Sequence, residues 1–247
     1  MFLHMRIHRL YQPDLNTSSQ RLTLDKSASR YLLQVLRCKP GQQLQLFDGN
    51  GTQCEATLDG GDKNSVTVTL HTCSQINHES PLSIRLALGI SKGERMDIAI
   101  QKAVELGVSE IQPVQTEFSV VNLTAERAEK RRQHWQGIII SACEQCGRNT
   151  LPRIHPVVAL SDWLKQRRDG ESWLFTPDAE TSLSSQMKPM HGATLLIGPE
   201  GGLSDQEISV ACANGFKALK FGPRILRTET AAIACITAIQ TLWGDLA

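Results

Sequence analysis

The chain carries one unit twice near its C-terminus, and that doubling constrains its fold more than any other feature. Thr194-Leu195-Leu196-Ile197 is a short apolar run, followed by Gly198-Pro199-Glu200-Gly201-Gly202 and an amphipathic segment ending at Asn214-Gly215. Ala218-Leu219-Lys220-Phe221 is a second run, followed by Gly222-Pro223-Arg224 and a final apolar segment from Thr230 to Trp243. Each copy reads as strand, Gly-Pro loop, helix. The glycines let the backbone approach a ligand closely, and the prolines stiffen the loops. Open α/β sheets bind ligands at loops on the carboxyl ends of adjacent parallel strands. Two such loops side by side predict a small-molecule pocket. Neither is the dinucleotide fingerprint G-x-G-x-x-G or the phosphate loop G-x-x-x-x-G-K-[ST]. The residues therefore predict a ligand site without identifying the ligand.

The segment before this pair alternates in the same manner. Leu82–Leu88 and Ile111–Val114 read as strands, and Glu94–Leu106 as a helix with Met96, Ala99, Ile100, Ala103 and Val104 on one face and Gly107 as its C-cap. Thr124 can cap a helix to about Cys146; Ile154–Val158, a short helix from Asp162 and a strand at Trp173–Thr176 follow. Ser204-Asp205-Gln206-Glu207 is a capping box. Strand–helix alternation predicts α/β with a mostly parallel sheet.

Residues 5–73 differ. Arg6–Tyr11 and Arg21–Leu24 read as strands, and Asp25 can cap a helix to about Leu36. Leu44–Phe47 and Cys54–Leu58 flank Asp48-Gly49-Asn50-Gly51, a hairpin signal, and Gly60-Gly61 turns into Val66–Leu70. Many short strands predict a small β-barrel or sandwich. The polar stretch Ser74–Pro81 is the linker, which divides the chain into domains 1–75 and 80–247.

A formal net charge of +1 says nothing about a nucleic-acid partner, so only local clustering counts. From Arg127 to Arg153 there are six basic residues against two acidic ones, a patch suited to phosphate backbones. Lys130-Arg131-Arg132 alone reads as a solvated helix face, whereas Arg148 and Asn149 follow Gly147 in a loop, where functional side chains concentrate. Arg6, Arg9, Arg30 and Arg37 are further candidates for RNA contact, weakened by nearly equal numbers of acids around them. No apolar run nears the ~20 residues of a spanning helix, and His4 and Arg6 interrupt any signal-peptide core, so the cytoplasm is the expected location and no membrane partner is expected. Seven irregularly spaced cysteines predict no disulfide framework. Cys143-x-x-Cys146 reads as two small residues at a helix end, and with no second ligand pair no metal site is expected.

Ile197-Gly-Pro-Glu-Gly-Gly-Leu-Ser204 together with Gly222-Pro-Arg-Ile-Leu-Arg-Thr-Glu-Thr-Ala231 resembles the SPOUT methyltransferase superfamily. More narrowly it resembles RsmE, the 16S ribosomal RNA uridine-N3 methyltransferases. Lys92–Met96 through Gln101–Gly107, Glu144–Asn149, Val35–Arg37 and Phe47–Gly49 extend the likeness over essentially the whole chain. The resemblance implies a PUA-like RNA-binding barrel at the N-terminus and a SPOUT α/β domain with a trefoil knot. It implies S-adenosylmethionine (SAM) as cofactor, a homodimer, and 16S rRNA in the small ribosomal subunit as partner, methylated near the decoding site. Cofactor contacts would come from Thr176, from Ile197, Gly198, Pro199, Glu200, Gly201 and Gly202 in the first loop, and from Leu219, Phe221, Gly222, Leu226, Thr228 and Ala231 around the second.

For the chemistry, Arg227 is the leading cation to stabilise a uracil anion and Arg224 the runner-up, with Glu200 and Glu229 as carboxylates for proton removal if burial raises their pKa. A brace between Arg227 and Glu229 would account for the same residues. Rival functions are a ribose 2′-O methyltransferase, a non-catalytic ribosome-assembly factor and a phosphate-binding nucleotide protein. Two separable domains also imply that a chain beginning near Ser80 folds and binds SAM alone.

Overall fold

The computed structural model describes residues 7–119 and 124–246. The candidate RNA contact Arg6 lies outside the described residues. The chain divides into two compact units, Met1–Glu79 with Cys143–Leu151, and Ser80–Ala142 with Pro152–Ala247.

The first unit is a five-stranded sheet. Strands β1 (His8–Tyr11), β2 (Arg21–Thr23), β3 (Gln43–Phe47), β4 (Thr52–Asp62) and β5 (Ser65–Gln75) run in the order β1-β3-β4-β5-β2. β1 lies parallel to β3 and the other pairings are antiparallel. Among the described residues β1 and β2 are edges unpaired with each other, so the hydrogen-bond ladder is not closed as the expected barrel would require. Alternation builds the core: Leu44 and Leu46 from β3 meet Ala56 and Leu58 from β4 and Val66 and Val68 from β5. Asp25 caps α1 (Lys26–Arg30) through the Ala28 amide at 2.8 Å, and a π-helical turn, Tyr31–Val35, continues it. Gly60 and Gly61 lie within β4 rather than at its turn. A Cβ at Gly61 would collide with the Ser65 carbonyl, so the strands approach too closely there for any side chain. Cys54 and Cys73 are register partners and form a disulfide, which corrects the expectation of none. The cause is cross-strand register, with Cα atoms 4.1 Å apart, a relation invisible in linear spacing.

The segment Cys143–Leu151 is part of this unit. Gly51 N donates to Asn149 O at 3.1 Å and Leu151 N to Gly49 O at 3.0 Å, so the segment lies along the Asp48–Gly51 turn. Gly49 is needed there, because its φ is +79° and a Cβ would sit 2.9 Å from the Tyr11 ring. Arg148 is buried and donates from Nε to Glu79 Oε1 at 3.0 Å. Arg9 stacks over Phe47 and donates to Arg148 O at 3.1 Å and Asn149 Oδ1 at 2.8 Å. The loop predicted to present Arg148 and Asn149 to RNA instead buries both, at 5% and 0% exposure, and Arg9 is half-buried in the same network. Arg30 and Arg37 remain exposed.

The second unit is a parallel sheet between two helical layers. Its strands are β6 (Ile84–Gly89), β7 (Glu110–Gln115), β8 (Arg153–Ile154), β9 (Val158–Ala159), β10 (Glu171–Phe175), β11 (Ala193–Ile197) and β12 (Lys217–Leu219). The order is β12-β10-β11-β6-β7-β8, with β9 also on β7, and every pairing is parallel. Burial of all five β11 residues is what helices on both faces demand. On one face Leu174, Leu196 and Ala87 pack with Trp163 and Leu164 of α4 (Leu160–Leu164) and Ala211 of α5 (Asp205–Ala213). On the other, Trp173 meets Trp243 of α6 (Thr228–Trp243), centroids 5.6 Å apart. α2 (Glu94–Glu105) buries the five apolar residues its spacing predicts. α3 (Ala125–Cys146) begins beside Thr124, whose Oγ1 lies 3.5 Å from the Arg127 amide. Among the described residues no helix is long and apolar enough to cross a membrane, and no group of three or more His, Cys, Asp or Glu could hold a metal ion.

Because Arg148 and Asn149 take their partners from residues 9 and 79, a chain beginning near Ser80 leaves both buried groups stripped of those bonds. Removing one partner of a buried pair is strongly destabilising. We expect Glu79→Ala to lower unfolding free energy by about 2 kcal/mol, read by circular dichroism during urea denaturation, while Glu55→Ala on exposed β4 stays within about 0.5 kcal/mol of wild type. Equal effects would remove the latch.

Candidate active site

All strands of the second sheet run the same way, so their carboxyl ends share one edge. The loops after β6, β10, β11 and β12 therefore emerge together. The two Gly-Pro loops do not follow neighbouring strands, as the doubled unit suggests: β10 lies between β11 and β12. Its own end, Phe175–Asp178, completes the wall between them. Thr176 N donates to Leu219 O at 3.1 Å, and Phe175 meets Phe221 edge-on at 6.4 Å.

These loops enclose a cleft of about 400 Å³. Thr176, Ile197, Gly198, Pro199, Glu200, Gly201, Gly202, Phe221, Gly222, Leu226, Thr228 and Ala231 all line it. Leu219 does not; it is fully buried and acts through the carbonyl that holds Thr176. Phe175, Asp178, Leu203, Ile208, Ile225 and Cys235 join the lining without having been singled out in the sequence. Only the 3.6-residue spacing of Thr228, Ala231 and Cys235 on α6 could have signalled any of them. Among the described residues, the backbone groups from Phe221 to Leu226 pair with no other protein backbone group.

The first loop is held by close packing. Gly202 N donates to Pro199 O at 2.9 Å. A Cβ at Gly89 would fall 2.5 Å from the Pro199 ring, one at Gly198 2.8 Å from Gly202, and one at Gly201 2.8 Å from Phe118 Cβ. Glu200 then reaches across to the loop after β6. Its Oε1 accepts from Lys92 N at 3.1 Å and from Arg95 at 3.0 Å. Burial pushes the Glu200 carboxyl up, but backbone amides and the Arg95 guanidinium outweigh it and hold the pKa below the usual range. That is the reverse of what a proton acceptor needs. The β11–β6 border is also where connections depart in opposite directions, toward β12 and toward β7, the position where such sheets bind ligands.

A second cleft of about 530 Å³ opens on the other side of Glu200, lined by Lys92, Glu94, Arg95, Ile98, Glu200, Arg227 and Glu229. Lys92 and Arg95 lie in the Lys92–Met96 stretch that carries the resemblance, without having been singled out as site residues. The second Gly-Pro loop divides the two clefts: Leu226 and Thr228 line the first, Arg227 and Glu229 the second. Arg224 lines the first cleft. Arg227 and Glu229 form no ion pair, and Glu229 Oε2 is buried without a hydrogen-bond partner among the described residues. The brace between them is absent.

Comparison with known proteins accords with this geometry. An RNA methyltransferase domain family matches residues 78–240, and an RNA methyltransferase PUA domain family matches residues 24–70. The ribosomal RNA small subunit methyltransferase E of Buchnera aphidicola subsp. Schizaphis graminum is 37% identical over 98% of both chains. A Legionella pneumophila protein solved with bound SAM superposes at a TM-score of 0.93, with 40% identity over 98% of this chain and 100% of that one. The ribosomal RNA small subunit methyltransferase E of Neisseria gonorrhoeae, solved bound to SAM, superposes at 0.90 with 40% identity and the same coverage. With both domain families matched in order and a full-length relative above 30% identity, the chain belongs to the ribosomal RNA small subunit methyltransferase E family.

Proposed function

We propose that the chain is a SAM-dependent methyltransferase that forms N3-methyluridine in 16S rRNA near the decoding site, acting on the small ribosomal subunit. The observation that carries this reading is the convergence of both Gly-Pro loops and Thr176 on one cleft at the carboxyl edge of the parallel sheet. The residues fit the cofactor. The cleft has the size of a small-molecule site. Ile197, Phe221 and Leu226 supply apolar walls, and the unpaired backbone of residues 221–226 supplies the donors and acceptors an adenine requires. Bound there, SAM supplies an electrophilic methyl group. The SAM-bound Neisseria and Legionella relatives support the same assignment.

N3 of uridine carries a proton and is a poor nucleophile until it leaves. The Arg227 guanidinium stabilises the anion that develops on the uracil oxygens. Glu229 is the stronger acceptor candidate, since one of its oxygens is buried without a partner, while Glu200 serves as a strut. Arg224, on the first cleft, belongs with the cofactor. The first unit, with exposed Arg30 and Arg37, holds RNA. The same reading makes the enzyme a cytoplasmic homodimer with a trefoil-knotted C-terminal domain. On α6, Ile233, Ala234 and Ala238 are only partly covered and Leu242 is 54% exposed, which supports a partner on that face.

Isolated small subunits incubated with labelled SAM are expected to gain one N3-methyluridine, mapped by mass spectrometry of the digested RNA. A ribose methyl would overturn the specificity, and no transfer would overturn the activity. Arg227→Ala should keep SAM affinity, lose ~100-fold in single-turnover rate, and recover part of it as pH rises. Gly222 has φ +72° with open space around its Cα, so the cost of a side chain there is backbone strain. Gly222→Val should weaken SAM binding at least ~10-fold by calorimetry. Light scattering at micromolar concentration should give twice the chain mass, and a monomer would remove the dimer.

A further inference from the structure

Four charged side chains line the first cleft among its apolar walls: Asp178, Glu200, Asp205 and Arg224. Glu200 is tied to Arg95. Asp205 lies in the first turn of α5, where a carboxylate complements the helix dipole. Asp178 has no such structural task. It lies exposed in the turn after β10, and its side chain makes no hydrogen bond or ion pair with any described residue. Arg224 is exposed too and makes no ion pair among the described residues, so no bound partner cancels the Asp178 charge.

Strand order sets where that charge falls. β10 lies between β11 and β12, so Asp178 stands between the first Gly-Pro loop, which follows β11, and the second, which follows β12. A ligand that pairs its adenine with the backbone of residues 221–226 and extends toward Gly198–Gly202 crosses the end of β10 at its middle. In SAM that middle is the sulfonium, set between the adenosine and amino-acid ends. Methyl transfer changes this centre and nothing else in the molecule. The bond from sulfur to the methyl carbon breaks and its electron pair stays on sulfur. Uracil N3, its proton already removed, supplies the pair for the new bond. The sulfonium cation thus becomes a neutral thioether. A carboxylate beside it attracts the first and gains nothing from the second.

We propose that Asp178 makes the cleft select SAM over S-adenosylhomocysteine, the demethylated product, and so favours exchange of spent cofactor for fresh. The inference rests on the cofactor reading of this cleft, and it is measurable without RNA or methyl transfer. Calorimetry on the full chain at low salt would compare SAM, S-adenosylhomocysteine and sinefungin, which carries an amine cation in place of the methylated sulfur. SAM and sinefungin are expected to bind about 5-fold more tightly than S-adenosylhomocysteine, the upper range for an exposed ion pair. The margin should shrink as salt rises. Asp178→Asn should bring all three ligands within about 2-fold of one another by weakening only the two cations. Asp178→Glu should restore the margin, and Asp205→Asn should leave it in place. A contact from Asp178 to the ribose or the ammonium group would weaken all three ligands equally in Asp178→Asn, and that result would overturn the proposal. Equal affinities in the wild type, sinefungin behaving like the thioether, or an effect of Asp205→Asn as large as that of Asp178→Asn would overturn it as well. Failure of SAM to bind at all would remove the cofactor reading too, whereas binding without discrimination would remove Asp178 alone.

Discussion

The Glu200 carboxylate joins two strand ends into one wall. By accepting the Lys92 amide and the Arg95 guanidinium, it fixes the first Gly-Pro loop to the loop opening α2, across the border between β11 and β6. Close packing of Pro199 on Gly89 makes the same join from below. Since the carboxyl is held below its usual pKa, it stays ionised through the neutral range. The tie lets go only as pH falls through that lowered value.

The second loop does a different job. It separates two clefts of opposite character, one with apolar walls and free backbone groups, the other with side-chain charge. Alternate residues from Leu226 to Glu229 face alternate clefts. The loop also places Arg227 on the second cleft and Arg224 on the first.

In the first unit a buried polar network replaces the expected RNA loop. Arg9 bonds Arg148 O and Asn149 Oδ1, and Arg148 bonds Glu79, while burial lowers the Arg9 pKa. The disulfide between Cys54 and Cys73 closes β4 on β5 beside this network. Arg30 and Arg37 stay on the surface instead.

What the sequence determined by itself was local. The α2 face, the Asp25 cap, the Ser204–Glu207 capping box and the Gly-Pro turns depend on residues within a few positions of each other, where 3.6-residue periodicity and φ restrictions act directly. Most of the residues that line the first cleft were legible for the same reason, through the two Gly-Pro motifs. Only tertiary structure decided the rest. That β10 separates the two Gly-Pro strands turns on pairings roughly 20 to 45 positions apart, and that Glu200 ties to Arg95 and that Arg148 and Asn149 are buried turn on partners roughly 70 to 140 positions away. Burial and charge pairing are long-range properties, and a side chain's role follows from what surrounds it in space.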